Sequence, residues 1–218
     1  MQASIPDNYT LSISKKQLAE LPRAVFHGAI RLVETLEEVA PAIAELREAE
    51  GPLGFDTETR PTFKKGQTHL VSLVQLSTRR CCYLFRINKT GLAPELLSLL
   101  NDAGVRKVGL SIHDDFHNLG KIAAIEPGGF TDLQDYARNF GIADKSLSRI
   151  YAIVFGRRIS KGQRLTNWEA PELTPNQQTY AALDALACIE IFDALESGDF
   201  NPAASPYICI PEPPEPES

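Results

Sequence analysis

The chain has little cysteine, and what it has is poorly spaced for cross-linking: Cys81 and Cys82 adjoin, while Cys188 and Cys209 stand alone. With no CxxC pair and no disulfide framework, the expected setting is a reducing cytoplasm. No window approaches the roughly 18 consecutive apolar residues of a membrane span. The opening stretch MQASIPDNYTLSISKKQ carries no apolar core of the kind a secretory signal needs, so none is expected. Histidine is equally scarce, and His69, His113 and His117 lack partners at metal-ligand spacing. An excess of basic charge is also missing: 28 acidic residues outnumber 22 Lys and Arg, for a formal net charge of −6. That argues against coating nucleic acid through a broad basic surface, and leaves room for an enzyme that meets phosphate through bound cations. Some of the acidity is peripheral, since the terminal PEPPEPES holds three glutamates in a proline-rich stretch expected to be disordered.

What is present is a chain of 218 residues, 43% hydrophobic, long enough for one sizeable core. RAVFHGAIRLVET reads as a strand or hairpin, and TLEEVAPAIAELREAEG as a helix opened by a Thr35–Glu38 capping box, with Pro41 shifting or kinking its start. PLGFDTET is the next strand. HLVSLVQLS, nearly continuous in apolar residues, reads as a central strand, joined through STRR to RCCYLFRI as a hairpin. Helices and a strand then alternate through APELLSLLND, RKVGLSI, DDFHNLGKIA, DLQDYARNFG and SLSRIYAIVFG. The last and longest helix, TPNQQTYAALDALACIEIFDALESG, begins with Thr174 and Pro175 and ends at Gly198. Early hairpins followed by alternating elements imply an α/β fold, a mixed sheet with helices on both faces. The expected division is an N-terminal extension over 1–24, the domain over 25–198 and a tail over 199–218.

Three acidic clusters bear on chemistry. In the strand GFDTET, Asp56 and Glu58 are two apart and share a face, with Phe55 and Thr57 directed the other way into the packing. Two carboxylates side by side repel unless a cation compensates, which a hard divalent ion does; the alternative is a strand end where both acids meet water. An aspartic-protease reading of Asp-Thr fails, because Glu58 stands where such enzymes have glycine and no second triplet exists. In HDDFHNL, Asp114 and Asp115 open a helix at the carboxyl end of a strand, a ligand position in open α/β sheets and equally a common capping position. In YAALD, Tyr180 and Asp184 are four apart on one helical face that also carries Ala181, Ala187, Cys188 and Ile191; a buried, satisfied Asp beside a core tyrosine is the plain alternative.

The order and conjunction of FDTET, KVGLSIHDD and YAALD resemble the three motifs of the DEDD exonuclease superfamily. The Tyr180-x-x-x-Asp184 form is similar to the DEDDy branch, with the ribonuclease D and Werner-type exonuclease domains. The resemblance runs from about Phe26 to Leu195 and includes DLQDYA and SKGQRLTNWEAPELTPNQQTYAALDA. It implies a ribonuclease H-like fold in which Asp56, Glu58, Asp115 and Asp184 hold two divalent cations, Mg²⁺ or Mn²⁺, and Tyr180 orients the attacking water. Counting from Lys107-Val108-Gly109, the second-motif acid falls on Asp115 ahead of Asp114; Asp132 of FTDL matches a recurrent position read as structural.

The basic residues Arg60, Lys64 and Lys65 after the first motif, and Arg157, Arg158, Lys161 and Arg164 before the third, read as phosphate-binding loops or as solvated charge. Trp168, like Phe63, reads as a base-stacking or a packing residue. The expected activity is metal-dependent 3'-5' exonucleolytic hydrolysis of DNA or RNA from single-stranded or frayed 3' ends. The competing readings are a catalytically silent nucleic-acid-binding module and a phosphodiesterase acting on very short oligonucleotides.

Overall fold

The computed structural model describes residues 9–64 and 66–210. Its centre is a six-stranded sheet built from β2 (Ala29–Val33), β3 (Leu53–Thr59), β4 (Val71–Ser77), β5 (Cys81–Phe85), β6 (Lys107–Gly109) and β7 (Phe130–Asp132), in the order β2-β5-β4-β3-β6-β7. β3, β4 and β5 run as antiparallel neighbours, whereas β2, β6 and β7 add in parallel, so the sheet is mixed as the alternation of elements predicts. β4 is buried along its whole length, which accounts for its nearly unbroken apolar run.

Helices cover both faces. On one face α2 (Leu36–Arg47), α4 (Pro94–Asn101) and α5 (Ile112–Leu119) bury Val39, Ile43, Leu46, Leu96, Leu99 and Leu119 against Phe55, Val74, Leu76 and Phe85. The expected capping box of Thr35 and Glu38 opens α2, and the helix continues through Pro41 on its exposed side. On the other face lies α8 (Pro175–Glu196), whose Ala181, Ala182 and Ala185 pack with Trp168 onto Leu73, Cys82 and Leu84. The opposite side of α8 buries Leu183, Ile191 and Phe192 against α6 (Leu133–Arg138) and α7 (Leu147–Phe155). A helix covered on both sides is apolar all round, which is why α8 shows so weak a one-sided pattern.

The distance between α8 and β3 is set by Gly54. A Cβ on this residue would run into the carbonyl of Ala185 and meet Ile189 Cγ1 at 3.0 Å. The missing side chain lets the helix backbone ride against the strand just before Asp56, at the residue that follows Asp184.

Two expectations about the ends need correction. Thr10–Leu11 (β1) pairs with Ile208–Cys209 (β8) as an antiparallel ribbon, and Leu11 and Ile13 are fully buried in the cluster around α7 and α8. α1 (Lys15–Glu20) follows, opened by a Ser14–Gln17 capping box. Residues 9–24 and 199–210 are therefore part of the folded unit, because a few apolar residues inside polar flanks are enough to dock a two-residue strand. The remainder of the expected extension and tail lies outside the described residues. β7 was also missed, being three residues held in place by β6 and by Asp132, whose carboxylate accepts from the backbone of Ser111, Ile112 and Gln134.

Candidate active site

The acids of the three clusters converge on one pocket of about 360 Å³, lined among others by Asp56, Glu58, Asp114, Asp115, Tyr180 and Asp184. Asp56 and Glu58 leave β3 on the face covered by α8, and Asp184 descends from α8 to meet them. One carboxylate oxygen from each of these three lies within 4.8 Å of the others, a set able to hold a divalent ion. Asp115 lines the same pocket from a different direction. β6 pairs with β3 only at Leu53 and Gly54, so the edge of β3 beyond them is open, and α5 brings Asp115 there from the opposite face of the sheet. It accepts a hydrogen bond from the hydroxyl of Thr57. The sequence expectation that Thr57 turns away into packing is thus corrected: it does point to the other face, and what it meets there is Asp115. Asp114, next in the helix, is exposed. Ser111, which opens α5, is the one non-glycine residue with positive φ among those described (φ 59°), held by its backbone bond to Asp132.

Burial and mutual repulsion hold the acids toward their protonated forms. Glu58 is pushed up to about 9, by burial and then by Asp184, with Arg164 opposing. Asp184 rises to about 7 through burial, against the pull of Tyr180 and Lys161. Asp115 rises to about 6 for the same first reason, moderated by Thr57. Asp56 is driven well above the carboxylate range by burial, then by Asp184. Tyr180, half-buried beside these acids, is raised above the ordinary phenol range by burial and then by Asp184, and stays neutral. Carboxylates that cannot ionise together without compensation are a donor set that fits a divalent cation.

The predicted basic residues separate into groups. Lys161 and Arg164 line the carboxylate pocket. Arg60 and Lys64 line a neighbouring pocket of about 370 Å³ with Phe63, Leu165 and Asn167, where Arg60 pairs with Glu169 at 3.0 Å. Arg157 is exposed and is not among the residues lining the carboxylate pocket. Arg158 is turned away: its Nε donates to the carbonyl of Leu21 at 3.0 Å, and its backbone pairs with the segment at Pro22–Ala24. Lys65 lies outside the described residues. Trp168 is fully buried between α8 and the sheet, its ring 6.1 Å from that of Tyr180, so the packing alternative holds and base stacking is excluded for it. His69, set aside as a metal ligand, has its Nδ1 2.9 Å from Glu169, which also pairs with Arg60; sequence reasoning missed Gln75, a fully buried amide opposite Asp56 that sits in no recognisable pattern.

Residues 30–198 match the 3'-5' exonuclease family. The chain belongs to that family. Among the relatives of this chain is the bifunctional 3'-5' exonuclease/ATP-dependent helicase WRN of Mus musculus, 32% identical over 149 residues, covering 66% of this chain and 11% of the mouse protein. The chain therefore spans about a tenth of that relative. In fold it is similar to the Nibbler EXO domain of Aedes aegypti, with a TM-score of 0.71 at 22% identity over 82% of this chain and 95% of that domain. It is similar also to Trypanosoma brucei RNase D in complex with RNA U12, with a TM-score of 0.65 at 22% identity over 83% of this chain and 64% of that one. Among the described residues no helix is long and apolar enough to cross a membrane.

Proposed function

We propose that this exonuclease-family chain hydrolyses phosphodiester bonds of single-stranded or frayed DNA or RNA from the 3' end, releasing nucleoside 5'-monophosphates. The observation that carries the reading is the convergence of Asp56, Glu58 and Asp184 within 4.8 Å, with Asp115 and Tyr180 in the same pocket. Asp56, Glu58, Asp115 and Asp184 would hold two divalent cations, Mg²⁺ or Mn²⁺, in the DEDDy manner; Asp115 is preferred over exposed Asp114 because Thr57 fixes its carboxylate. When bound, such a pair supplies an activated water and neutralises charge on the leaving 3' oxygen. The chain's own residues do the rest. Tyr180, a neutral phenol, orients the attacking water through its hydroxyl. Lys161 and Arg164, which line the same pocket, hold the scissile phosphate. The adjoining pocket, with Arg60, Lys64 and the exposed ring of Phe63, is suited to the strand upstream of that phosphate. Four cysteines, all free, support a reducing, cytoplasmic setting.

The test is incubation of the purified chain with 3'- and 5'-labelled strands of two to twenty nucleotides, with Mg²⁺, Mn²⁺ or EDTA. Stepwise metal-dependent shortening from the 3' end is expected. No shortening of any strand defeats the reading, and turnover confined to dinucleotides favours the short-oligonucleotide phosphodiesterase instead.

A further inference from the structure

Three polar side-chain atoms among the described residues are buried without a hydrogen-bond partner: Oε1 and Nε2 of Gln75, and Nε1 of Trp168. All three belong to the layer between α8 and the sheet. Gln75 is on β4, fully buried, and is the register partner of Asp56 on antiparallel β3. Partners in such a ladder project from the same face with Cβ atoms about 4.5–5.5 Å apart. The surroundings of Gln75 are otherwise apolar: Leu84 is its partner on β5, and Leu73, Cys82, Trp168, Ala181, Ala182 and Ala185 fill the layer. Ser77, the other polar residue on that face of β4, spends its hydroxyl on the carbonyl of Thr78 at 2.8 Å.

An amide buried without partners is a costly thing to keep in a central strand, where a leucine or methionine would fill the same space. The three orphaned atoms are complementary in kind. The indole N–H can only donate, the amide Oε1 accepts, and the amide Nε2 donates. Asp56 is the acceptor across the ladder. One of its oxygens takes the backbone N–H of Thr57 at 2.9 Å, leaving lone pairs that an amide can meet.

Resting on the metal-dependent reading above, we infer that Gln75 is a positioning residue for Asp56. In the metal-loaded site its Nε2 donates to the Asp56 carboxylate while its Oε1 accepts from Trp168 Nε1. Donation to an ionised carboxylate is the stronger kind of hydrogen bond, so the contact forms best when the acid is held as an anion. Partners behind a metal-binding carboxylate fix its direction, and their loss typically weakens metal binding about 10–100-fold. The buried tryptophan then has a second task beyond filling space: it fixes which way the amide is turned.

The experiment compares wild type, Gln75→Met and Trp168→Phe by thermal unfolding in EDTA and across a Mn²⁺ titration, with steady-state kinetics on a labelled single strand. For Gln75→Met the midpoint in EDTA should be unchanged or higher. Its half-saturating Mn²⁺ should rise about 10–100-fold. kcat at fixed metal should fall while KM for the strand stays within about twofold, and Trp168→Phe should show the same shift more weakly. Gln75→Met with wild-type half-saturation overturns the inference alone. A wild-type chain that no divalent cation stabilises overturns the metal reading with it. Should Gln75→Met not fold, the side-chain amide signals of Gln75 in the wild-type chain decide: they should move downfield as Mg²⁺ saturates the site, and signals that do not move overturn the inference.

Discussion

The hydroxyl of Thr57 donates to the carboxylate of Asp115, joining the middle of β3 to the first turn of α5. This bond holds the one acid of the cluster that comes from a separate layer. Thr57→Val keeps the shape and removes the donor. We expect kcat to fall about 10-fold, in line with other supports of metal-binding carboxylates. The cost in stability should be about 1 kcal/mol, the net worth of an ordinary hydrogen bond. Rates at saturating Mg²⁺ and a urea unfolding curve in EDTA check both; unchanged kcat would make Thr57 a packing residue only.

The raised carboxyls set the direction of pH dependence in the metal-free chain. Glu58 at about 9, Asp184 at about 7 and Asp115 at about 6 all lie above the value near 4 expected in the unfolded chain. Between those limits the folded state binds more protons than the unfolded state, so unfolding free energy falls as pH rises. Melting midpoints in EDTA should drop from pH 5 to pH 8.5. Saturating Mg²⁺ should flatten or reverse the trend, and Asp184→Asn should weaken it while abolishing turnover. A metal-free midpoint that climbs over this range contradicts the account.

The cations of the loop before α8 should be separable by salt. Arg164→Ala, at the carboxylate pocket, should raise KM for a single strand and reduce the salt dependence of binding by about 0.7 in log–log slope. Arg158→Ala removes a guanidinium bonded to the Leu21 carbonyl, so it should lower the melting midpoint and leave that slope unchanged. Fluorescence-anisotropy titrations from 50 to 300 mM salt, with metal-free protein, distinguish the two.

Gly54→Ala tests the approach of α8 to β3. The added methyl meets the Ala185 carbonyl, which is backbone and cannot step aside. Overpacking of this kind costs about 1–3 kcal/mol and should move Asp184 away from Asp56. We expect a lower midpoint together with at least a tenfold loss of kcat; wild-type activity in a destabilised protein would show that the helix tilts without disturbing the acids.

Much of this was legible in the chain because it rests on short-range rules. The two-residue spacing of Asp56 and Glu58 and the four-residue spacing of Tyr180 and Asp184 fix shared faces whatever the tertiary fold. The capping box at Thr35 and the N-cap at Thr174 likewise use only neighbouring residues. What escaped depends on distant partners. Trp168 resembles a stacking residue in sequence and is a core residue because α8 closes over it. Arg158 sits in a basic run, yet the N-terminal segment claims its guanidinium. β1, β7 and β8 are too short for any periodicity, and only pairing makes them strands.

The entry of Asp115 around the open edge of β3 has a mechanical side. Three of the acids belong to one interlayer seam and the fourth to the opposite one, so the complete set exists only while both helix layers are in register with the same strand. A small slip of α5 along the sheet would disperse the set without unpairing a strand or unwinding a turn. On the proposed reading, turnover is thus a finer gauge of native alignment in this molecule than helix content, and under gentle denaturation it should vanish first.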